Sequence, residues 1–465
     1  MLRAGRCLGG MVTAPHHLAG EAGAGILREG GNAIEAMIAA AATIAVAYPH
    51  LNGIGGDGFW LISRSGEAPV GIQAYGRAAH LADQAFYASH GDTAIPTRGP
   101  RVALTVAGAI GGWSEAKLLA QETGGARPVA RRLEAAINHA REGAPVTNSQ
   151  ARLTKDRWPD LQGVAGFREN YAAGGPQAEG SILFQKKLAQ SFQRISNAGL
   201  DDFYRGDLAR TIATGLEAAD SPLRLDDLEK FQPKRVAPAT ARLRQTQLHN
   251  MPPPTQGISS LIILKMFEAL CVHQAETFEH VHGLVEATKR AFLIRNAHVG
   301  DPERMGDVWK RWQTDDMIAK EAAAINMAKA APWPPLAIPG DTIWMVAADR
   351  NGNVVSYIQS IFWEFGSGLA VPEPAFGRTK VPASHLSLGQ MNWLPVGFPS
   401  APSIRRWHAS TMERCSPTGP WAAKVNLRHK QQSSHPMSYS GTTCKKPCPH
   451  RDDCLDAHGE RVQRT

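Results

Sequence analysis

The segment "IPGDTIWMVAADRNGN", Ile338 to Asn353, decides the fold. It places one threonine, Thr342, behind a proline-rich connector and ahead of an apolar run that reads as a strand. Pro332, Pro334, Pro335 and Pro339 keep the upstream chain out of regular structure, and β-prone residues follow at once. "TIWMVAADRNGNVVSYIQSI" then reads as a hairpin turning at Asn351-Gly352. Threonine is a poor nucleophile unless a base lies beside it. One base requires no second residue: the threonine's own α-amino group, set free when the peptide bond before it breaks. A threonine that opens a strand behind a cleavable connector meets that requirement, although a threonine opening a strand is also ordinary sheet chemistry.

Outward from this segment, the 465-residue chain is 43% hydrophobic and 20% charged, enough for one large core or two domains without disulfide staples. No apolar run approaches the roughly 18 residues of a membrane span, and "MLRAGRCLGGMVTAPHHLAG" lacks the long apolar stretch of a secretory signal. The expectation is a cytoplasmic protein with no membrane partner. Cys7 and Cys271 are isolated, and the other four cysteines follow residue 410. Charge is equally lopsided. Pro374 to Thr465 holds 13 Lys+Arg and 5 Asp+Glu, a difference of +8 that equals the net charge of the whole chain, so residues 1–373 sum to zero. A neutral protein with a basic tail gives no reason to expect a nucleic-acid partner.

Residues 16–48 read as two Ala-rich helices broken at Gly30-Gly31-Asn32, the second almost wholly small and apolar and therefore buried. "LNGIGGDGFWLISRSGEAPVGIQAYGR" gives a glycine-rich turn, a strand Phe59–Ser63, a polar turn and a second strand. Helical periodicity returns in 106–122, 127–142, 181–198 and 205–219. A Pro-rich loop at 252–254 precedes two more helices, the second ending at Gly300-Asp301-Pro302, and 303–337 reads as a polar, mobile stretch. Helices, strands, helices and strands in that order predict a mixed sheet with helices segregated on its faces.

"GGMVTAPHHLAGEAGAGILREGGNAIEAMIAAAATIAVAYPHLNGIGGDGFWLI", "MPPPTQGISSL", "VEATKRAFLIRNAHVGDP" and "GDTIWMVAADRNGNVVSYIQSIFWEFGSG" resemble the gamma-glutamyltranspeptidase family, in order, over nearly all of residues 9–372. The resemblance implies an α+β N-terminal-nucleophile hydrolase fold, a four-layer αββα sandwich. It also implies a proenzyme that cuts itself before a nucleophilic threonine into a large and a small subunit that stay associated. Counting back from the family's Asp-x-x-Gly-Asn turn, here Asp349 to Asn353, puts the nucleophile at Thr342 and the cut at Asp341–Thr342. Residues 1–341 are then the large-subunit region and 342–373 the start of the small subunit. No metal or organic cofactor is implied, because the nucleophile carries its own base.

Departures from the family bear on substrate. Ile343 stands where gamma-glutamyl enzymes typically have a second threonine, and Phe362 where they have an Asn for the donor's α-amino group. The family clamps the α-carboxylate with an Arg in a Phe-Arg-Glu segment, whereas "AYGRAA" offers Tyr75 there and Arg77 two residues later. Charge-assisted bonds lost this way are worth roughly 1.5–3 kcal/mol each. "GDTIWM" with "WEFGSG" is instead similar to the oxamate amidohydrolase branch, whose small amide substrate carries a carboxylate and no α-amine. The implied roles are Thr342 as nucleophile, Ser360 as its hydrogen-bond partner, and Arg77 with Tyr75 at the substrate carboxylate. Their alternatives are plain: Arg77 as a solvated strand-end arginine and Ser360 as an outward-facing strand residue. "GIGGDG", Gly53 to Gly58, lacks the Lys of a phosphate-binding loop, and close backbone packing beside the site is the better account.

After "EFGSGLAVPE" the resemblance stops, although the family continues with a strand, an active-site loop and a Gly-Gly pair whose N–H groups hold the tetrahedral oxyanion. Joining the third base of each codon to the first two of the next lets Trp421–Lys430 read "GGEGQPQTQ", and Ala401–Met412 and the segment from Asp453 give family-like strings under the same shift. Residues 374–465 are therefore expected to be a small subunit read one base out of frame. The rival readings are a zinc site from Cys444, Cys448, Cys454 and His450, at loose spacing, and a disordered basic arm. A non-enzymatic remnant with an unprocessed fold is the alternative for the whole chain.

Overall fold

A computed structural model describes residues 7–244, 246–333 and 342–371. The tail on which the expected frame shift and the cysteine cluster fall, and Asp341, lie outside the described residues. Among the described residues are ten strands: β1 (Gly10–Thr13), β2 (Asp57–Ser63), β3 (Val70–Ala74), β4 (Ala144–Pro145), β5 (Ile182–Leu183), β6 (Lys234–Val236), β7 (Ala239–Arg242), β8 (Gln247–Asn250), β9 (Ile343–Asp349) and β10 (Val354–Ser360). Six of them form one sheet in the order β1-β9-β10-β2-β3-β6, every neighbouring pair antiparallel. The expected mixed sheet is thus corrected to an antiparallel one. Two tight hairpins, β2–β3 and β9–β10, supply four adjacent strands, and the long helical excursions return β1 and β6 to the edges in antiparallel sense.

The sheet rests on α2 (Ala33–Ala47), all fifteen residues of which are buried, with α1 (His17–Arg28) beside it. Small side chains explain the closeness: a Cβ on Gly23 of α1 would meet the Ala36 carbonyl oxygen at 2.9 Å. Asn32 starts α2 with a full capping box, its side chain accepting from Glu35 N–H and the Glu35 side chain from Asn32 N–H. Gly30, at φ 86°, ends the preceding helix as the sequence predicts. Helices Val129–Glu142 and Lys186–Ala198 extend the layer beyond α2. Across the sheet, Val355, Tyr357 and Gln359 of β10 are buried toward the helices, while Ser356, Ile358 and Ser360 on the other face are half-buried.

A second core joins the helices Gly257–Ala269 and Phe278–His298 to Pro302–Met305, the 3-10 turn Gly306–Gln313 and the helix Asp315–Ala323. The expectation of a mobile stretch from 303 fails here as far as residue 323. Trp312 and Ile318, helped by the partly buried Met305, Trp309 and Met317, pack in one cluster with Ile258, Ile262 and Met266 and fold the segment onto the helix pair. No described helix is long and apolar enough to cross a membrane.

Candidate active site

Thr342 immediately precedes β9 and is half-buried. Its Oγ1 lies 3.1 Å from Ser360 Oγ at the end of β10. Ser360 Oγ also accepts the Phe362 N–H at 3.0 Å, so its second contact fixes its rotamer. Phe362 sits at φ 78° and Phe365 at φ 57°; such left-handed angles for bulky residues cost of order 1–3 kcal/mol each and cluster at functional sites. The register explains the meeting of Thr342 and Ser360. Gln359 pairs with Ile343, one step short of it.

The hairpin that carries both residues is anchored from below. Gln359, fully buried, donates to Asn52 Oδ1 at 3.0 Å and accepts from Tyr357 Oη at 2.7 Å and Trp113 Nε1 at 3.3 Å. At the other end, Asp349 does two jobs: it accepts the Asn351 and Asn353 N–H groups within the turn, and the Ala33 N–H at 3.0 Å at the start of α2. The Asp-x-x-Gly-Asn motif is therefore a turn tied to a helix N-terminus.

The glycine motif packs as the sequence suggests. A Cβ at Gly56 would collide with the Ser360 carbonyl oxygen, and one at Gly58 would meet Tyr357 Oη at 2.7 Å. Its one acidic residue gives no signal in the sequence alone. Asp57 opens β2 directly opposite Ser360. Burial pushes its carboxyl up to about 8 against the opposing pull of the Gly76 and Gly108 N–H groups, and its Oδ1 is buried with no hydrogen-bond partner among the described residues. Only the register of two hairpins, invisible until both strands are paired, could have pointed to it.

Arg77 and Tyr75 lie on the β3 side. They line a cleft of about 400 Å³ with Gln73, Asp227, Asp301 and Glu303, and Thr342 is not among its lining residues. The Arg77 guanidinium, about half exposed, is ion-paired with Glu303. The structure therefore joins Thr342 to Ser360 and leaves Arg77 on a carboxylate of its own chain. The Tyr75 ring lies tilted against Phe59, ring centroids 5.8 Å apart, and burial together with Asp301 and Asp57 pushes its phenol up. A further arginine absent from the sequence reading, Arg98, holds the turn after Ser360: it donates to the Glu364 and Gly366 carbonyls and lies 5.6 Å over the Trp363 ring.

This architecture, an antiparallel sheet on a helical layer with a threonine at the head of a central strand, is the N-terminal-nucleophile hydrolase fold, and the protein is an enzyme of that class. Cephalosporin acylase from Bacillus halodurans superposes with a TM-score of 0.75 at 28% identity, over 85% of this chain and 75% of the acylase. The chain belongs to the gamma-glutamyltranspeptidase family, whose sequence profile matches residues 19–376. It is 46% identical over 366 residues to the oxamate amidohydrolase proenzyme of Klebsiella pneumoniae, covering 78% of this chain and 69% of that protein. The glutathione hydrolase-like YwrD proenzyme of Bacillus subtilis is 35% identical over 77% of this chain and 68% of its own length.

Proposed function

We propose that the chain is a self-processing threonine amidohydrolase acting on a small amide that carries a carboxylate, of the oxamate kind. Cleavage of Asp341–Thr342 frees the Thr342 α-amino group, which takes the hydroxyl proton as Oγ1 attacks the amide carbon. The C–N bond then breaks, the proton passes to the leaving nitrogen as ammonia, and water hydrolyses the acyl ester to a carboxylate. The observation that carries this reading is the 3.1 Å contact of Thr342 Oγ1 with Ser360 Oγ at the head of β9. The name of the Klebsiella relative and the Phe362 substitution support the small amide over a glutamyl donor. Arg77 would take the substrate carboxylate by exchanging it for Glu303, with Tyr75 beside it.

On a denaturing gel, two bands from residues 1–341 and 342–465 are expected, collapsing to one in Thr342→Ala. Ammonia release from oxamate but not from a gamma-glutamyl anilide is the expected substrate pattern. The reverse pattern would favour a gamma-glutamyl transferase or glutathione hydrolase, the reading that the name of the Bacillus subtilis relative suggests. A lasting single band in the wild-type chain would mark a non-enzymatic remnant.

The tail from about Pro374 is read as an out-of-frame small subunit, a proposal supported by the end of the family match at residue 376 and by the tail's carrying the whole net charge. Without the Gly-Gly oxyanion donors, amide turnover falls by about 10²–10³ for one donor lost. Resequencing codons 365–380 tests it, and a single intact frame there would sink it.

A further inference from the structure

Three side chains stand in a row across the strand ends: Thr342 before β9, Ser360 closing β10 and Asp57 opening β2. Directly opposed residues of antiparallel strands project from the same face, and Ser360 opposes Asp57. Ser356, Ile358 and Ser360 of β10 and Asp57 and Phe59 of β2 are half-buried on the face away from α2. Strands lie about 4.8 Å apart, so the Asp57 and Thr342 backbones are separated by about 10 Å. A two-carbon amide acid with a hydrogen bond at one end and a reacting carbon at the other fits that span. Ser360 is already committed to Thr342 and Phe362. Asp57 Oδ1 is not committed to any described group, and a buried polar atom left unpaired in a folded protein calls for a functional reason.

We propose that Asp57 shares recognition of the carboxylate of the bound amide acid with Arg77, its carboxyl O–H donating to one carboxylate oxygen; this rests on the reading of Thr342 as nucleophile. Burial holds the proton on Asp57 through neutrality, its carboxyl being pushed up to about 8. The titratable groups near it are the Tyr75 phenol and, on the helix side of the sheet, the Tyr357 phenol, both pushed up, with Asp301 and Arg77 acting beyond Tyr75. No cation is among the groups that move Asp57 itself. Ionised, Asp57 would repel a substrate carboxylate and suit an ammonium instead, such as the α-amine of a glutamyl donor. Its protonation state therefore separates the two substrate classes.

Calorimetric binding of oxalate, the dicarboxylate left by oxamate hydrolysis, tests this with the full chain, Asp57→Asn and Asp57→Ala between pH 6 and 9. Wild-type affinity should fall about tenfold per pH unit above pH 8. Asp57→Asn, still a donor and of the same shape, should bind oxalate without that fall. Asp57→Ala should bind at least about tenfold more weakly at pH 6, with thermal melts confirming that each variant is folded. The inference is overturned if Asp57→Ala binds oxalate as the wild type does, or if the wild type binds none. It is overturned equally if wild-type affinity for glutamine rises through pH 8 and Asp57→Asn abolishes the rise. Self-cleavage of the wild type is read separately. A chain that cleaves itself while Asp57→Ala binds normally keeps the Thr342 reading and loses this one, and a chain that stays in one piece loses the Thr342 reading whatever the oxalate result.

Discussion

At the scale of single residues, Ser360 and Asp57 make opposite kinds of prediction. Ser360 Oγ bridges Thr342 Oγ1 and the Phe362 N–H, so its removal frees the rotamer of Thr342, the proposed nucleophile, and loosens the turn at once. Ser360→Ala should slow self-cleavage by about 10- to 100-fold, the scale of a lost hydrogen bond plus misplacement of the reacting group; a gel time course at an unchanged rate would leave Ser360 a plain strand residue. Asp57 bears on stability. Its folded carboxyl is raised from 3.8 to about 8, so between those values the folded chain keeps a proton that the unfolded chain releases. Stability is therefore highest below pH 4 as far as this group is concerned and is lost as pH rises toward 8. Asp57→Asn has no proton to lose. Its melting temperature relative to wild type should climb steadily from pH 5 to pH 8, with up to about 1.4 kcal/mol of relative gain per pH unit. A difference flat in pH would show that the carboxyl is ionised in the fold.

At the scale of elements, the sequence announces the pieces and conceals their joins. Asn32 and Glu35, three residues apart before an apolar run, are legible as a helix start, and the structure shows the capping box. Nothing in the sequence says that Glu35 also accepts from Arg132 at 2.9 Å and from the Arg127 N–H at 2.7 Å. That pair is almost fully enclosed, with side-chain exposures of 2% and 1%. Glu35→Ala would strand Arg132 and should cost about 3–5 kcal/mol, measurable as a fall in the urea midpoint. The helix Asn148–Leu161 was missed because Pro159 lies inside it and its apolar face is thin, and Thr147, which caps it, looks like any loop threonine. Residues 303–323 were misread for the converse reason: two or three buried side chains suffice to fold a polar segment once a helix pair offers them a surface. Thr342 and Ser360 could be named from the strand and the family resemblance, whereas the Arg77–Glu303 pair joins residues from two distant segments and no local pattern reports it.

At the scale of the whole molecule, the position of one hairpin constrains what the proposed self-cleavage can do. β9 and β10 are interior strands, bonded to each other and flanked by β1 and β2 from the opposite side of the Asp341–Thr342 bond. Below them, Met345, Ala347, Val355 and Tyr357 bury against the same core as α2. Cutting before Thr342 breaks one covalent bond and, by itself, none of the ladder bonds or apolar contacts. Extracting the hairpin would expose two rows of backbone N–H and C=O groups as well as that face, a cost close to unfolding the sheet. The two pieces should therefore co-elute on a sizing column in native buffer and separate only in denaturant, with loss of the β9–β10 piece and loss of the native fold coinciding in one urea transition. Release of a small piece under native conditions, with the remainder still folded, would mean that the hairpin does not sit between β1 and β2.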